Sequence, residues 1–87
     1  MSYRLILKPS AEKELQRLAR SMHHRIFEAL ARIEENPRAP GSVKLSAGAK
    51  AYRVRVGDWR IIYEIDDGEE TVFVTIVGHR REVYRGL

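Results

Sequence analysis

Arg53, Arg55 and Arg60 are the residues of this 87-residue chain whose types and spacing point most directly to chemistry. They lie in the run AYRVRVGDWRIIYEI, residues 51–65, which reads as two strands joined by the turn Gly57-Asp58. A two-residue turn sets Val56 opposite Trp59, Val54 opposite Ile61 and Tyr52 opposite Tyr63, giving one apolar face. On the other face Arg55 falls opposite Arg60, with Arg53 two residues along. Like charges facing each other across a ladder destabilise it. A bound anion would offset that cost, and guanidinium forks match phosphate geometry and stack on bases. The pattern therefore points to RNA or DNA phosphate, against the plainer reading of a solvated sheet face.

A second constellation closes the chain. The run GHRREVYRG, residues 78–86, packs His79, Arg80, Arg81, Tyr84 and Arg85 into seven positions. Phosphodiester cleavage needs a group to take the attacking hydroxyl's proton, cations for the charge that develops on phosphorus, and a proton for the leaving oxygen. Tyr84 or His79 could exchange protons and the arginines could hold charge; the plainer reading is a frayed basic tail. Pairing residue 60 with residue 75 places Thr75, Val77 and His79 on the arginine face and Arg80 on the reverse. Arg80 then reaches the site only through a strand end or bulge expected near Gly78.

These groups need a scaffold. Residues 3–7 read as a first strand. Ser10 is placed to cap a helix with Glu12 and Glu14 in its first turn. Ala11, Leu15, Leu18, Ala19 and Met22 recur at helical spacing, and after a break near Ser21 a second helix directs Ile26, Phe27, Leu30 and Ile33 inward. Asn36-Pro37 stops it. Residues 37–50 form a Pro- and Gly-punctuated connector, with Val43 and Leu45 as apolar anchors. After the arginine hairpin, DDGEE (66–70) makes a second turn pivoting on Asp67-Gly68, and TVFVTIVG (71–78) is apolar on both faces, as in a central strand. The order β-α-α-β-β-β predicts an α+β fold: a small, mostly antiparallel sheet with an N-terminal αα-hairpin on one face, and a short C-terminal element. Residues 1–87 are expected to form a single domain.

Composition narrows the partners. The formal charge is +4, which favours anions. Residues 61–78 carry five acids and no Lys or Arg, so the acids gather away from the arginines. With no cysteine, neither disulfides nor thiolate metal sites exist, and no cofactor or metal is expected. Neighbouring His23 and His24 cannot share a helix face. No run approaches membrane-spanning length and the start has no signal-peptide pattern, so a cytoplasmic protein is expected.

Together, the early strand, the helical pair ending in ENPR, the loop with Lys44-Leu45, the YRVRVGDWRIIYEI hairpin and the closing HRREVYR resemble the RelE/ParE superfamily of toxins from toxin–antitoxin pairs. The resemblance covers nearly the whole chain. It implies a ribosome-dependent endonuclease of the RelE type, cutting mRNA in the A site by attack of the RNA's own 2′-hydroxyl, and a cognate antitoxin as partner. It also implies roles: Arg60 steadies the transition-state phosphate, Arg53 and Arg55 occupy lysine positions of relatives, Arg80 stands at the leaving group, and Tyr84 acts as general base. His79 and Arg81 are expected to help bind substrate. Arginine at 53 and 55 removes any low-pKa base there, so little cleavage of free RNA is expected. The alternatives are a ParE-type inhibitor of DNA gyrase and a non-enzymatic RNA- or ribosome-binding module.

Overall fold

The computed structural model describes residues 2–45 and 50–79. Seven elements follow in order: β1 (Arg4–Leu7), α1 (Pro9–Arg17), α2 (Arg20–Glu35), β2 (Ser42–Lys44), β3 (Ala51–Val56), β4 (Trp59–Asp66) and β5 (Thr71–His79). The strands form one mixed sheet in the order β1-β5-β4-β3-β2. Only β1 and β5 run parallel; the helices carry the chain from β1 to β2 at the opposite edge, and the other pairings are antiparallel. The expected α+β architecture holds, with β2 added as an edge strand drawn from the connector.

Both helices lie on one sheet face. Ala11 and Leu15 of α1 and Ile26, Ala29, Leu30 and Ile33 of α2 join Val56, Ile61, Tyr63, Ile65, Val72, Val74 and Val77 in one core. Phe27, expected inward, is 48% exposed and rests edge-on against His23. It sits one residue off the buried stripe, and Ala29, small enough for close approach to the sheet, takes the inward position. Pro9 begins α1 and Lys8 is its N-cap, so Ser10 does not cap; its hydroxyl donates to the Thr75 carbonyl (3.3 Å). Pro suits the first helical turn because its missing N–H would be unpaired there. Leu18 and Ala19, both extended, separate the helices two residues before the expected break. Val43 is not an anchor: it stands 46% exposed on edge strand β2.

The β3–β4 register is the expected one throughout, with Val56 opposite Trp59, Arg55 opposite Arg60 and Tyr52 opposite Tyr63. Of the turn pair only Gly57 takes positive φ (+60°), as in type II′ hairpins. The β4–β5 register differs in two ways. The turn spans residues 67–70, closed by Glu70 N–H donating to the Asp67 carbonyl (3.2 Å), and its positive φ falls on Glu70 (+49°) rather than Gly68. A bulge then leaves Thr75 unpaired between Val74, opposite Tyr63, and Ile76, opposite Ile62. The wider turn slides β5 by two residues and keeps its faces. The bulge adds one residue and reverses them.

Candidate functional site

The reversal decides which side chains meet the arginines. Arg60 pairs with Gly78, not Thr75, so a residue without a side chain lies beside the long guanidinium. Val77 is 1% exposed in the helix-side core. His79 pairs with Trp59 on the helix side too, their rings edge-to-face at 6.0 Å. The expected placement of His79 on the arginine face is thus overturned: one extra residue at Thr75, rather than near Gly78, changes the parity of everything after it. Thr75 is held in the bulge by its own hydroxyl, which donates to the Ile62 carbonyl (3.2 Å), and by Ser10.

Arg53, Arg55 and Arg60 do share the sheet face opposite the helices. Arg55 is exposed and Arg53 half-buried. Arg60 is only 4% exposed. Its Nη1 donates to the carbonyls of Gly57 (3.2 Å) and Trp59 (3.1 Å), which folds the guanidinium against the hairpin tip. Its Nε is buried without a partner among the described residues. A buried donor left unpaired costs about 1–3 kcal/mol. Opposite it stands a second cation, and neither Arg55 nor Arg60 has a carboxylate in ion-pair range among the described residues. A guanidinium so held, preorganised and uncompensated, can take an oxyanion without first breaking an ion pair.

The same turn receives a residue that sequence reasoning missed. A Cβ built on Gly57 would lie 3.3 Å from Nη2 and 3.4 Å from Nη1 of Arg25 on α2. Only the packing of α2 on the sheet brings these positions together; the sole signal in the sequence is that Arg25 flanks the buried Ile26.

At the far end of the sheet arginine is treated differently. Arg38 grips Asp67 through two bonds, Nη1 to Oδ1 (3.0 Å) and Nη2 to Oδ2 (2.8 Å), and its Nε donates to the Tyr52 hydroxyl (3.2 Å). Tyr3 donates to the same carboxylate (2.7 Å). These bonds, Arg38 first and Tyr3 second, bring the Asp67 carboxyl down to about 2. The carboxylate in turn raises Tyr3 and Arg38 above their ordinary values. Tyr63, fully buried, donates to the Pro37 carbonyl (2.6 Å), and burial pushes its phenol up to about 12. Its carboxylate comes from the acid-rich β4–β5 turn.

His79 and Trp59 also border an open cleft of about 330 Å³ between the α1–α2 elbow and the strand ends, with Leu18 and Met22 as its apolar wall and Glu14 and Arg17 at its rim. Among the described residues no group of His, Asp and Glu is placed to hold a metal, and no helix is long and apolar enough to cross a membrane. Arg80, Arg81 and Tyr84 lie outside the described residues.

Comparison with known proteins gives one family. The family described as "ParE toxin of type II toxin-antitoxin system, parDE" matches residues 5–84. No curated protein matches in sequence. Among solved structures the chain is similar to one in the intact E. coli RelBE toxin–antitoxin complex, with 26% identity over 90% of this chain and 96% of the other and a TM-score of 0.80. It is equally similar to one in the RelBE2 toxin–antitoxin complex of Mycobacterium tuberculosis, with 26% identity, coverage of 92% and 100%, and a TM-score of 0.79. The YoeB/ParE toxin of Agrobacterium tumefaciens shares the fold at 18% identity, coverage of 87% and 96%, and a TM-score of 0.75.

Proposed function

The chain belongs to the ParE toxin family of type II toxin–antitoxin systems, and from that premise we propose that it halts translation as a ribosome-dependent mRNA endonuclease of the RelE type. Its 87 residues act as a single toxin domain. The observation that carries this reading is Arg60, a buried guanidinium locked against the hairpin tip, with an unpartnered Nε among the described residues and a second arginine opposite. Stability alone does not call for such a group, since an apolar side chain commonly serves a buried position as well or better. An arriving phosphate makes sense of it.

The reaction is an internal transfer. The 2′-hydroxyl of the RNA attacks the adjacent phosphorus, the P–O2′ bond forms and the P–O5′ bond breaks. The products are a 2′,3′-cyclic phosphate and a 5′-hydroxyl. One proton leaves the 2′-oxygen and one is delivered to the 5′-oxygen. Arg60 stabilises the charge on the non-bridging oxygens, while Arg53 and Arg55 bind the backbone. In keeping with the RelE resemblance, Tyr84 takes the 2′-proton, Arg80 stands beside the leaving oxygen and Arg81 adds positive charge. His79, on the helix side beside Trp59, takes no part in the proton transfers. With no low-pKa base on the hairpin, cleavage depends on the ribosome to align the mRNA, and free RNA is cut poorly.

The partner is a small antitoxin that lays an acidic segment across the basic face. The solved toxin–antitoxin complexes of similar chains support this part of the reading. The family's ParE name favours a second reading, in which the same fold inhibits DNA gyrase without cutting RNA. Mapping mRNA ends on stalled ribosomes separates the two. Wild type should cut within A-site codons, the Arg60→Ala, Arg80→Ala double variant should not, and Tyr84→Phe should cut slowly. Gyrase-linked DNA breaks with intact mRNA would establish the second reading. Ribosome binding with neither outcome would leave a non-enzymatic module.

A further inference from the structure

We propose that Arg25 of α2 and Arg60 of β4, meeting at Gly57, form a two-pronged site for an RNA backbone phosphate at the tip of the β3–β4 hairpin. The inference rests on the nucleic-acid reading above and extends the phosphate-binding surface from the sheet onto the helical layer.

The geometry is built by three elements. Arg60 comes from the sheet face opposite the helices and folds back to donate to the Gly57 carbonyl at 3.2 Å. Arg25 comes from the helical layer, with both terminal nitrogens within 3.4 Å of where a Gly57 side chain would begin. Gly57 serves both neighbours. Its φ of +60° allows the tight turn, and its missing Cβ leaves the space that the Arg25 guanidinium occupies. A side chain there would strain the turn and press the Arg25 guanidinium back by a few tenths of an ångström.

Charge gives the site its ligand. Neither Arg25 nor Arg60 has a carboxylate in ion-pair range among the described residues, and Arg55 adds a third cation on the same hairpin. The one acid of the turn, Asp58, is exposed and bridges to none of them. Two guanidinium groups brought to one peptide unit repel, and Arg60 also bears the cost of its unpartnered Nε. An oxyanion at the tip relieves the repulsion. Arg25 itself is exposed and Arg60 only 4% exposed, so an arriving strand meets Arg25 first. A phosphodiester suits the site better than a lone carboxylate, because two anionic oxygens on one phosphorus can be shared between two forks. Arg25 is thus a binding residue, one that holds the phosphate from the helical side while Arg60 holds it from the hairpin.

The test is a salt series. Binding of a short fluorescein-labelled single-stranded RNA is followed by anisotropy for wild type, Arg25→Ala and Arg25→Lys, and ribosome-dependent cleavage is measured beside it. Loss of one phosphate contact should weaken binding about three- to ten-fold and flatten the slope of log affinity against log salt by about 0.7. Arg25→Lys, which keeps the charge but not the fork, should keep the wild-type slope. In cleavage the effect of Arg25→Ala should fall on KM rather than kcat. An unchanged slope in Arg25→Ala overturns the site even if wild type cuts mRNA. A lysine variant that behaves like alanine also overturns it, since Arg25 would then only brace the turn. A slope that falls in Arg25→Ala and holds in Arg25→Lys, with no cleavage by wild type, supports the phosphate site while the nuclease reading fails.

Discussion

At one end of the sheet Arg38 lies between the carboxylate of Asp67 and the hydroxyl of Tyr52, with Tyr3 completing the ring of hydrogen bonds. At the other end Arg25, Arg55 and Arg60 gather about the β3–β4 hairpin, and none has a carboxylate in ion-pair range among the described residues. The same side chain is used in both places with opposite accounting. Arg38 finds its counter-charge within the chain, so it ties the α2–β2 connection to the β4–β5 turn and has little left to offer a ligand. The hairpin arginines keep their charge uncancelled, and Arg60 turns Nη1 to backbone carbonyls rather than to a carboxylate. Cations paired internally hold structure together, whereas cations gathered without counter-charges create a field that attracts anions.

The largest expected effect comes from breaking the uncompensated end. Arg60→Met should lower ribosome-dependent cleavage about 10²- to 10³-fold. The same change should leave the thermal midpoint level or raised, because it removes a buried donor without a partner. A midpoint several degrees lower with cleavage intact would show that Arg60 belongs with Arg38 as a structural cation.

Breaking the paired end should have the reverse signature. Tyr63→Phe removes the donor to the Pro37 carbonyl, next to Arg38, and should cost about 1–2 kcal/mol in urea unfolding with cleavage retained. It should also change the alkaline limb. The folded phenol, at about 12, ionises later than the unfolded one at 10.0, so its contribution is complete below pH 10 and lost as pH rises towards 12. Tyr63→Phe should lack that loss; an identical alkaline limb in both proteins would rule out the assignment.

The smallest effect belongs to Asp67. Its folded carboxyl, lowered to about 2, contributes stability above the ordinary value of 3.8 and loses it as pH falls towards 2. Asp67→Asn should differ little from wild type near pH 7, since exposed ion pairs contribute little, and should have a flatter acid-unfolding curve in that window. Equal acid slopes would mean that the Arg38 grip is not maintained in solution.

The residues differ in how far they could be read in advance. Tyr63 and Trp59 were legible as core-facing from alternation, and Ile26, Leu30 and Ile33 from helical period. Phe27 was not, because one hundred degrees around a helix separates a buried position from an exposed one and the stripe's edge depends on how the sheet meets it. Arg38 and Asp67 lie 29 residues apart, and no local pattern joins them. Ser10 looked like a cap until Pro9 began the helix ahead of it.

What the sequence by itself determined is the arginine hairpin: Gly57-Asp58 admits one tight turn, and a period of two then places Arg53, Arg55 and Arg60 on one face without help from the rest of the chain. Only the tertiary structure decided which residues of β5 stand with them. Glu70 closes the four-residue turn locally onto Asp67, but the Thr75 bulge depends on Ser10 and the Ile62 carbonyl, contacts that exist only after the sheet and α1 have packed. One inserted residue, stabilised from a distance, turned His79 away from the arginines and set Gly78 beside Arg60.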